Sequence, residues 1–589
     1  MDRSAFTTGK TEVHRKISGD RRVRVTAAIT PTTLFRSAAL AFFIVGLCSF
    51  LNAQSSVVIQ VDANRNLGPL RPVWNYFGYD EPNYTYAPHG RELITELGAS
   101  NSSRTQIRTH NLLTTGDGTA ALKWGSTNAY TEDASGRPVY DWKIVDQILD
   151  TYLAAGAKPL VEIGFMPEAL STHPEPYRHH WPQGEIFTGW TYPPKDYSKW
   201  EELVYQWALH CIARYGKSEV AEWNWEVWNE PDIPYWHATP EEYDKLYDYA
   251  VAGVRRALPE AKVGGPATTG PGAAKAAEFL RQFLQHCASG TNYATGKAGA
   301  PLDFISFHAK GSPEIQDGRV RMGLAHELRD VDEGLKIVAS FSKFAHLPVI
   351  LTEADPEGCA ACSAKDHPQN AYRNGTLYPA YTAVAIREML DLNERRKTNL
   401  TGMLTWAFEF EGQPYFQGYR TLATNGVDKP ILNLFRMLGF MTGERVEVKS
   451  SAAVGLDEML ISGVRGKVSV DGLAARGEHS LTALVWSYRD EESDDPDRPV
   501  ELNIAGLPAN AKKVLVAHYR IDQNHSNSYT VWKVMGSPQS PSREQYDALK
   551  AAGQLQLLES PRWVESKGGS LRLQFSMPGQ SVSLVELSW

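Results

Sequence analysis

Apolar runs of strand length alternate with amphipathic helical segments from about residue 70 to residue 440. Continuous apolar strands separated by helices indicate a parallel sheet that is covered on both faces. Eight such units over ~370 residues predict an α/β fold, a (β/α)8 barrel with long loops. The predicted strands are Val73–Tyr79, Thr105–His110, Lys158–Phe165, Ala221–Asn229, Ala261–Thr268, Leu302–Ala309, Leu347–Ala354 and Leu400–Phe410.

The segments between these runs carry clear helix signals. One helix has apolar residues at i, i+3, i+4 and i+7 from Trp200 to Tyr215, and Gly216 is predicted to end it. Another begins with Thr239-Pro240-Glu241-Glu242, which combines a capping box with a proline at the first helical position. An open doubly wound sheet is the alternative, but glycine-rich phosphate-binding patterns do not open these helices, and the barrel is therefore favoured.

The pattern changes after about Gly443, where short alternating stretches are separated by turn residues. They predict an antiparallel β-sandwich at residues 443–589, after a barrel at residues 71–442. The segment 54–70 contains an alternating stretch, Val57–Val61, which is predicted to pair with the sandwich. We expect the sandwich to support the barrel rather than to act as a sugar-binding module. The predicted strands are Lys467–Val470, Thr482–Trp486, Val500–Ile504, Lys513–His518, Leu571–Phe575 and Ser581–Leu587.

The first 53 residues are predicted to be a secretory signal rather than part of the fold. A basic leader precedes the short apolar run that begins at Ala38, and the small residue Ala53 marks the expected cleavage site. The run is shorter than the ~20 residues of a membrane-spanning helix, so an uncleaved anchor is the less favoured alternative. The sequence therefore predicts an exported protein, periplasmic or secreted, without a membrane partner after cleavage.

Charge, aromatic content and cysteine positions limit the partners and the metal sites that the sequence allows. The 60 basic and 68 acidic residues give a formal net charge of −8, which argues against a nucleic-acid partner. The chain has 16 Trp and 26 Tyr, and aromatic faces suit the C–H faces of sugars. Cys359-Ala-Ala-Cys362 has no second cysteine pair to complete a zinc site, so we expect a structural role, such as a loop disulfide. Cys211 is expected to pack in the core.

The chemistry of a (β/α)8 barrel lies where its strands end. The fourth predicted strand ends in Asn229-Glu230-Pro231, and the seventh ends in Thr352-Glu353-Ala354. Two carboxylates at these positions can flank a glycosidic bond, one protonating the leaving oxygen and one attacking the anomeric carbon. A single such Glu would more simply be a loop cap or salt-bridge partner. Two at matching strand ends, beside Trp-rich loops, favour catalysis.

Several longer stretches resemble glycoside hydrolase family 39, which contains β-xylosidases and α-L-iduronidases. The resemblance extends over about residues 56 to 589 and includes the predicted sandwich. The set of motifs is specific, whereas the fourth-strand motif alone fits many families. The motifs are Phe77-Gly-Tyr-Asp-Glu-Pro-Asn-Tyr-Thr-Tyr86, Trp223-Asn-Trp-Glu-Val-Trp-Asn-Glu-Pro-Asp232, Asp303-Phe-Ile-Ser-Phe-His-Ala-Lys-Gly311, Thr352-Glu-Ala-Asp-Pro-Glu-Gly-Cys-Ala-Ala-Cys362, Thr405-Trp-Ala-Phe-Glu-Phe-Glu-Gly412 and His518-Tyr-Arg-Ile-Asp522.

The resemblance implies a role for each matching residue. Glu230 matches the general acid/base and Glu353 the nucleophile, so Glu230 must be protonated and Glu353 ionised when substrate binds. Asn229 matches a ligand of the hydroxyl next to the anomeric carbon, and Trp406 matches an aromatic platform under the sugar. The remaining implied substrate contacts are His110, His308, Lys310 and Glu411. No cofactor or metal is implied, since the adjacent His179 and His180 do not easily face one ion.

The two branches of the family differ in substrate, and motifs of this chain resemble both branches. Glu353-Ala-Asp-Pro356 and Lys310 resemble the iduronidase branch, where a lysine at this position helps to hold the uronate carboxylate. Three other stretches resemble a bacterial β-xylosidase subgroup: Asp80-Glu-Pro-Asn-Tyr-Thr-Tyr86, Asp355-Pro-Glu-Gly-Cys-Ala-Ala-Cys362 and the loop Glu411-Gly-Gln-Pro-Tyr-Phe416. We predict a retaining exo-glycosidase that releases terminal β-D-xylosyl residues from oligosaccharide or polysaccharide chains. The alternatives are an α-L-iduronidase-like or α-L-arabinosidase enzyme and a non-catalytic carbohydrate-binding protein, which would not need both Glu230 and Glu353.

Overall fold

The structure, a computed structural model, describes residues 56–100 and 103–589, so the predicted signal segment 1–53 lies outside the described residues. Eight parallel strands close into a barrel in which each strand pairs with its neighbours in chain order. This confirms the predicted (β/α)8 barrel and the position of all eight strands. They are β2 (Tyr76–Tyr79), β3 (Gln106–Thr109), β6 (Lys158–Ile163), β7 (Asn224–Val227), β8 (Lys262–Thr268), β9 (Phe304–Lys310), β12 (Pro348–Asp355) and β13 (Asn399–Trp406).

A principal helix follows each barrel strand. The predicted helix signals hold: Thr239 and Glu242 form the capping box, and Gly216, with φ of +87°, ends its helix in a conformation that suits glycine. The principal helices are α1 (Pro88–Ala99), α2 (Lys143–Ala154), α3 (Tyr197–Tyr215), α5 (Pro240–Ala257), α6 (Ala274–Ser289), α7 (Leu324–Ser340), α8 (Leu377–Arg396) and α9 (Pro430–Gly439). A short helix, α4 (Lys217–Val220), follows α3 directly.

Long loops connect several barrel strands to the helices that follow them, and these loops lie at the carboxyl ends of the strands. They hold three two-stranded hairpins and three short 3₁₀ helices. The hairpins are β4 (Tyr130–Glu132) with β5 (Pro138–Tyr140), β10 (Glu314–Gln316) with β11 (Arg319–Arg321), and β14 (Ala423–Thr424) with β15 (Val427–Asp428). The 3₁₀ helices are Pro82–Tyr84, Gly189–Thr191 and Pro368–Asn374. The mouth of the barrel is therefore built from structured loops.

The remaining strands form one nine-stranded sheet in the order β21-β20-β23-β18-β17-β16-β1-β19-β22. The sheet is mixed rather than wholly antiparallel, because β1 from the start of the fold lies between β16 and β19 and pairs in parallel with β19. The strands are β1 (Val57–Pro69), β16 (Glu444–Ser450), β17 (Ser469–Arg476), β18 (Ser480–Tyr488), β19 (Arg498–Ala505), β20 (Lys513–Ile521), β21 (Gln556–Glu565), β22 (Leu571–Met577) and β23 (Ser581–Ser588). β16 and β21 were not predicted, because charged residues interrupt both segments.

Three further helices belong to this C-terminal part of the chain: α10 (Leu456–Ser462), α11 (Ser528–Val534) and α12 (Arg543–Gly553). Trp532 and Leu549, on α11 and α12, pack against Phe416 and Val427 in the loop after β13. The C-terminal part therefore contacts a loop at the mouth of the barrel as well as forming the sheet.

The cysteines follow the sequence-based expectation. Cys359 and Cys362 form a disulfide within the loop after β12, and Cys211 is buried in α3. The buried Arg373 guanidinium donates hydrogen bonds to the carbonyl oxygens of both disulfide residues, which ties the disulfide to the 3₁₀ helix Pro368–Asn374 of the same loop. No helix in the described ranges combines the length and apolar character needed to cross a lipid bilayer.

Candidate active site

The chain turns sharply where β7 ends. Trp228 and Glu230 have φ of +71° and +44°, a left-handed conformation that costs non-glycine residues about 1–3 kcal/mol each. The turn is held by hydrogen bonds from Trp228 Nε1 to the carbonyl oxygen of Tyr235 and from the Glu230 amide to the carbonyl oxygen of Ala267. It places Asn229 and Glu230 at the barrel mouth. Strain that the surroundings maintain in this way is typical of functional sites.

Glu230 and Glu353 meet at this mouth. Glu230 Oε1 lies 2.9 Å from His308 Nδ1, and the same nitrogen lies 3.8 Å from Glu353 Oε1. One carboxylate oxygen of each Glu and one nitrogen of His308 lie within 4.8 Å of one another. The exposed fraction of the side chain is 15% for Glu230 and 6% for Glu353. The two predicted catalytic residues are therefore neighbours, and the site opens on the Glu230 side.

Strand register explains the surroundings of Glu353. His308 is the β9 partner of Glu353, and Lys310 is the β9 partner of Asp355. Lys310 Nζ lies 2.7 Å from Glu353 Oε2 and 2.8 Å from Asp355 Oδ2. Burial favours the neutral form of the Glu353 carboxyl, but the positive charges of Lys310 and Arg108 beside it outweigh burial and hold its pKa well below the usual range. Glu353 is therefore kept ionised.

Trp406 forms one wall of the site at the end of β13. Its register partner on β2 is Gly78, where an added Cβ would lie 2.6 Å from the Trp406 ring. The absence of a side chain at Gly78 lets the indole lie across the next strand, with its centroid 5.1 Å from Arg108 Cζ and 4.3 Å from the His110 ring. The Trp406 amide donates to Asp355 Oδ1 at 2.9 Å, which fixes the end of the strand.

Arg108 is the centre of a buried ion cluster that the sequence reading missed. Its guanidinium lies 2.5 Å from Glu226, 2.8 Å from Glu162 and 3.5 Å from Glu353, and it donates to Asn229 Oδ1 at 2.9 Å. A signal was present, because charged residues inside short barrel strands are buried and must be paired. The cluster links four strands and orients both Asn229 and Glu353.

We expect Arg108→Met to lower the free energy of unfolding by about 3–5 kcal/mol, because it leaves buried carboxylates without their cation. The matched control is Arg214→Met, which removes a surface ion pair with Asp150, and we expect it to cost less than about 1 kcal/mol. Urea unfolding of both variants gives the comparison. Equal and small losses would contradict a structural role for the cluster.

Five of the six other predicted site residues lie close to Glu230 and Glu353. Asn229, His110, His308, Lys310 and Trp406 all lie in the contact network of Glu230 and Glu353 described above. Glu411 is placed differently, since its partly exposed carboxylate faces His89 at 3.9 Å, near the start of α1. A substrate contact by Glu411 therefore remains a prediction.

Two of the three tryptophans that precede Glu230 pack against helix α3. Trp225 packs against Trp207 of α3, and Trp223 packs against Tyr215 of the same helix. Trp228 packs against Phe165. The polar surroundings of Glu230 come instead from His308. Sequence proximity to tryptophan is thus a poor guide to the environment of this carboxyl.

The grouping of Glu230, His308 and Glu353 also has the composition of a metal site. However, the Lys310 ammonium lies 2.7 Å from Glu353 and the Arg108 guanidinium lies 3.5 Å from it. These fixed cations already compensate the carboxylate charge, and they would repel a divalent ion. We therefore assign no metal to this grouping.

A (β/α)8 barrel with two neighbouring carboxylates at the ends of its fourth and seventh strands, beside an aromatic wall, defines a glycoside hydrolase. The family model "Glycosyl hydrolases family 39" matches residues 57–570, and the chain belongs to this family. The resemblance read from the sequence motifs is thereby confirmed.

Curated relatives come from both branches of the family. A β-xylosidase of Caldicellulosiruptor saccharolyticus is 28% identical over 454 residues, which cover 75% of this chain and 82% of the relative. An α-L-iduronidase of Mus musculus is 27% identical over 565 residues, which cover 91% of this chain and 81% of the relative. Among solved structures, a monomeric β-xylosidase from Caulobacter crescentus CB15 has a TM-score of 0.69 at 23% identity, with 90% of this chain and 99% of that chain covered.

Proposed function

We propose that the protein is a retaining exo-glycosidase in which Glu353 is the nucleophile and Glu230 the general acid/base. The observation that carries this proposal is the approach of one oxygen of each carboxylate to within 4.8 Å. Retaining glycosidases hold their two carboxyl groups about 5–5.5 Å apart, whereas inverting enzymes need about 6.5–9.5 Å to admit a water molecule. The spacing therefore supports a double displacement.

In the first step, Glu353 attacks the anomeric carbon while Glu230 donates its proton to the departing glycosidic oxygen. A covalent glycosyl-enzyme and the free leaving group result. In the second step, Glu230 removes a proton from water, the hydroxyl attacks the anomeric carbon, and the bond to Glu353 breaks. The cations around Glu353 keep it ionised for attack, and His308 beside Glu230 orients the acid.

The charges of the site favour a neutral sugar, and we propose a β-D-xyloside. Lys310 is already paired with two carboxylates, Glu353 and Asp355. Lys123, on the loop after β3, is paired with Asp80 at 3.4 Å. A uronate carboxylate would have to compete with these carboxylates for either ammonium, at a cost in desolvation and repulsion. A neutral pentose only needs hydroxyl partners.

A second candidate is an α-L-iduronidase-like activity. Two observations favour it: the iduronidase relative aligns with 91% of this chain, and a lysine, Lys310, stands beside the nucleophile. Nitrophenyl β-D-xyloside, α-L-arabinoside and α-L-iduronide, assayed side by side on the full chain, separate the candidates. Preferred hydrolysis of the iduronide would overturn the proposed substrate, and no hydrolysis of any glycoside would overturn the proposed enzyme.

We expect the first product to keep the anomeric configuration of the substrate, because two displacements at one carbon restore it. Proton NMR of an aryl β-xyloside reaction resolves the two anomers before mutarotation equilibrates them. The β anomer of xylose should appear first. Initial appearance of the α anomer would contradict the assignment of Glu353 as nucleophile.

A further inference from the structure

The segment Asp80-Glu-Pro-Asn83 has no part in the steps described so far, although it directly follows β2 at the barrel mouth. It holds the loop after β3 in place. Glu81 accepts a hydrogen bond from the Lys123 amide at 2.6 Å. Asn83 both accepts from the Ser126 amide at 3.0 Å and donates to the Ser126 carbonyl at 2.9 Å. The segment is therefore a clamp on residues 123–126.

The clamp places the side chain of Lys123 at the edge of the active site. Lys123 has φ of +53°, an uncommon conformation for a residue other than glycine, and the Glu81 contact maintains it. Lys123 Nζ lies 3.4 Å from Asp80 Oδ2. The Tyr235 hydroxyl is a second partner of the ammonium. A strained backbone and a clamped loop thus hold one cation in a defined position.

Asp80 and His110 connect this cation to the proposed nucleophile, Glu353. Asp80 Oδ1 lies 3.3 Å from His110 Nε2, and the same nitrogen lies 3.7 Å from Glu353 Oε1. The Lys123 side chain remains 12% exposed, whereas that of His110 is only 3% exposed. His110 therefore contacts both Asp80 and Glu353, and the Lys123 side chain keeps some exposure.

An ammonium has three donors and a carboxylate has about four acceptor positions, so the contacts of Lys123 with Asp80 and Tyr235, and of Asp80 with His110, leave capacity on both groups. A sugar hydroxyl both donates and accepts, and it can bridge such a pair. Asp80 follows the first barrel strand and Glu230 follows the fourth, three strands away around the barrel. A sugar whose anomeric carbon lies between Glu230 and Glu353 can place the opposite end of its ring toward Asp80, because one histidine, His110, contacts both Asp80 and Glu353.

We propose that Lys123 and Asp80 bind the hydroxyls of the terminal sugar that lie farthest from the cleaved bond, those on C3 and C4, and so select this sugar. The inference rests on the proposed glycosidase function and assigns its recognition residues. It also accounts for exo action in a chain linked through C4. An internal residue has no free C4 hydroxyl for the pair, and its extra sugar would collide with the clamped loop.

The test compares kcat/KM for an aryl β-xyloside and its 3-deoxy and 4-deoxy analogues. The enzymes are the full-length wild type, Lys123→Met and the control Lys199→Met, which removes a lysine of α3 that is paired with Glu132 of β4. Wild type should lose about 10–100-fold when the bound hydroxyl is removed, as for hydrogen bonds to charged groups. In Lys123→Met, kcat/KM for the parent substrate should already be lower by a similar factor. Removal of the hydroxyl should then lower kcat/KM of this variant little further. Lys199→Met should keep the wild-type preference.

Retention of the wild-type preference for both hydroxyls in Lys123→Met would overturn the inference. If that variant does not fold, Asp80→Asn replaces it, with the same expected loss of preference and the same overturning result. Failure of the proposed substrate looks different: the wild type is then inactive on the xyloside and cleaves another glycoside. In that case the deoxy analogues of the glycoside that is cleaved decide the role of Lys123.

Discussion

Glu353→Gln is expected to lower kcat by at least about 10⁴-fold while leaving the fold intact. The amide keeps the shape of the side chain and can still accept a hydrogen bond from Lys310, but it is a poor nucleophile and cannot form the glycosyl-enzyme. Steady-state hydrolysis of an aryl β-xyloside measures the loss, and thermal unfolding measures the fold.

The matched control for this prediction is Glu478→Gln, because Glu478 is an exposed carboxylate in the turn between β17 and β18. This control should turn over at the wild-type rate. Substantial activity in sequence-verified Glu353→Gln would refute the assignment. Loss of activity together with loss of the unfolding transition would point to misfolding, and Glu353→Asp would then have to reproduce the loss in a folded protein.

Glu230→Ala is expected to separate substrates by the quality of their leaving groups. Xylobiose needs a proton on its departing oxygen and should lose about 10²–10⁴-fold in kcat/KM, the usual contribution of a general acid. An aryl xyloside with two nitro groups leaves readily as the phenolate, so its kcat/KM should fall by less than about 10-fold. Parallel assays of the two substrates measure this difference.

Azide provides a second readout on the same variant. Without a general base, the second step of Glu230→Ala becomes slow, and the small azide anion can attack the glycosyl-enzyme without deprotonation. Turnover of the activated substrate should rise with azide, with a β-xylosyl azide as product. Glu353→Ala is the control and should give no product of retained configuration. Equal losses on both substrates without azide rescue would mean that the roles of the two carboxylates are wrongly assigned.

Both predictions depend on the different surroundings of the two carboxyl groups. Glu353 is held among Lys310, His308, His110 and Arg108, whereas the direct partner of Glu230 is His308. Glu230 is also the more exposed of the two, as an acid must be if it is to reach a leaving group that departs toward solvent. Glu353, the proposed nucleophile, is therefore the more enclosed of the two, and Glu230, the proposed acid, is the more accessible.

The eight barrel strands, the principal helix signals and the placement of Glu230 and Glu353 could be predicted from the sequence. Buried parallel strands need continuous apolar runs, and a carboxylate directly after such a run lies at the barrel mouth in any register. The disulfide was also readable, because Cys359 and Cys362 are close in sequence. Each of these features depends on residues that are close together in the sequence.

Features that depend on distant segments were decided only by the tertiary structure. Arg108 meets Glu226 and Glu353 across 118 and 245 residues of chain. The sequence predicted that Val57–Val61 pairs with the C-terminal strands, but not that β16 and β19 are its partners or that the β19 pairing is parallel. Trp223 and Trp225 pack against helix α3, although both are close to Glu230 in the sequence. The charge state of a buried carboxylate depends on the charges that neighbouring strands bring to within a few ångströms of it, and strand register, rather than sequence distance, determines which charges those are.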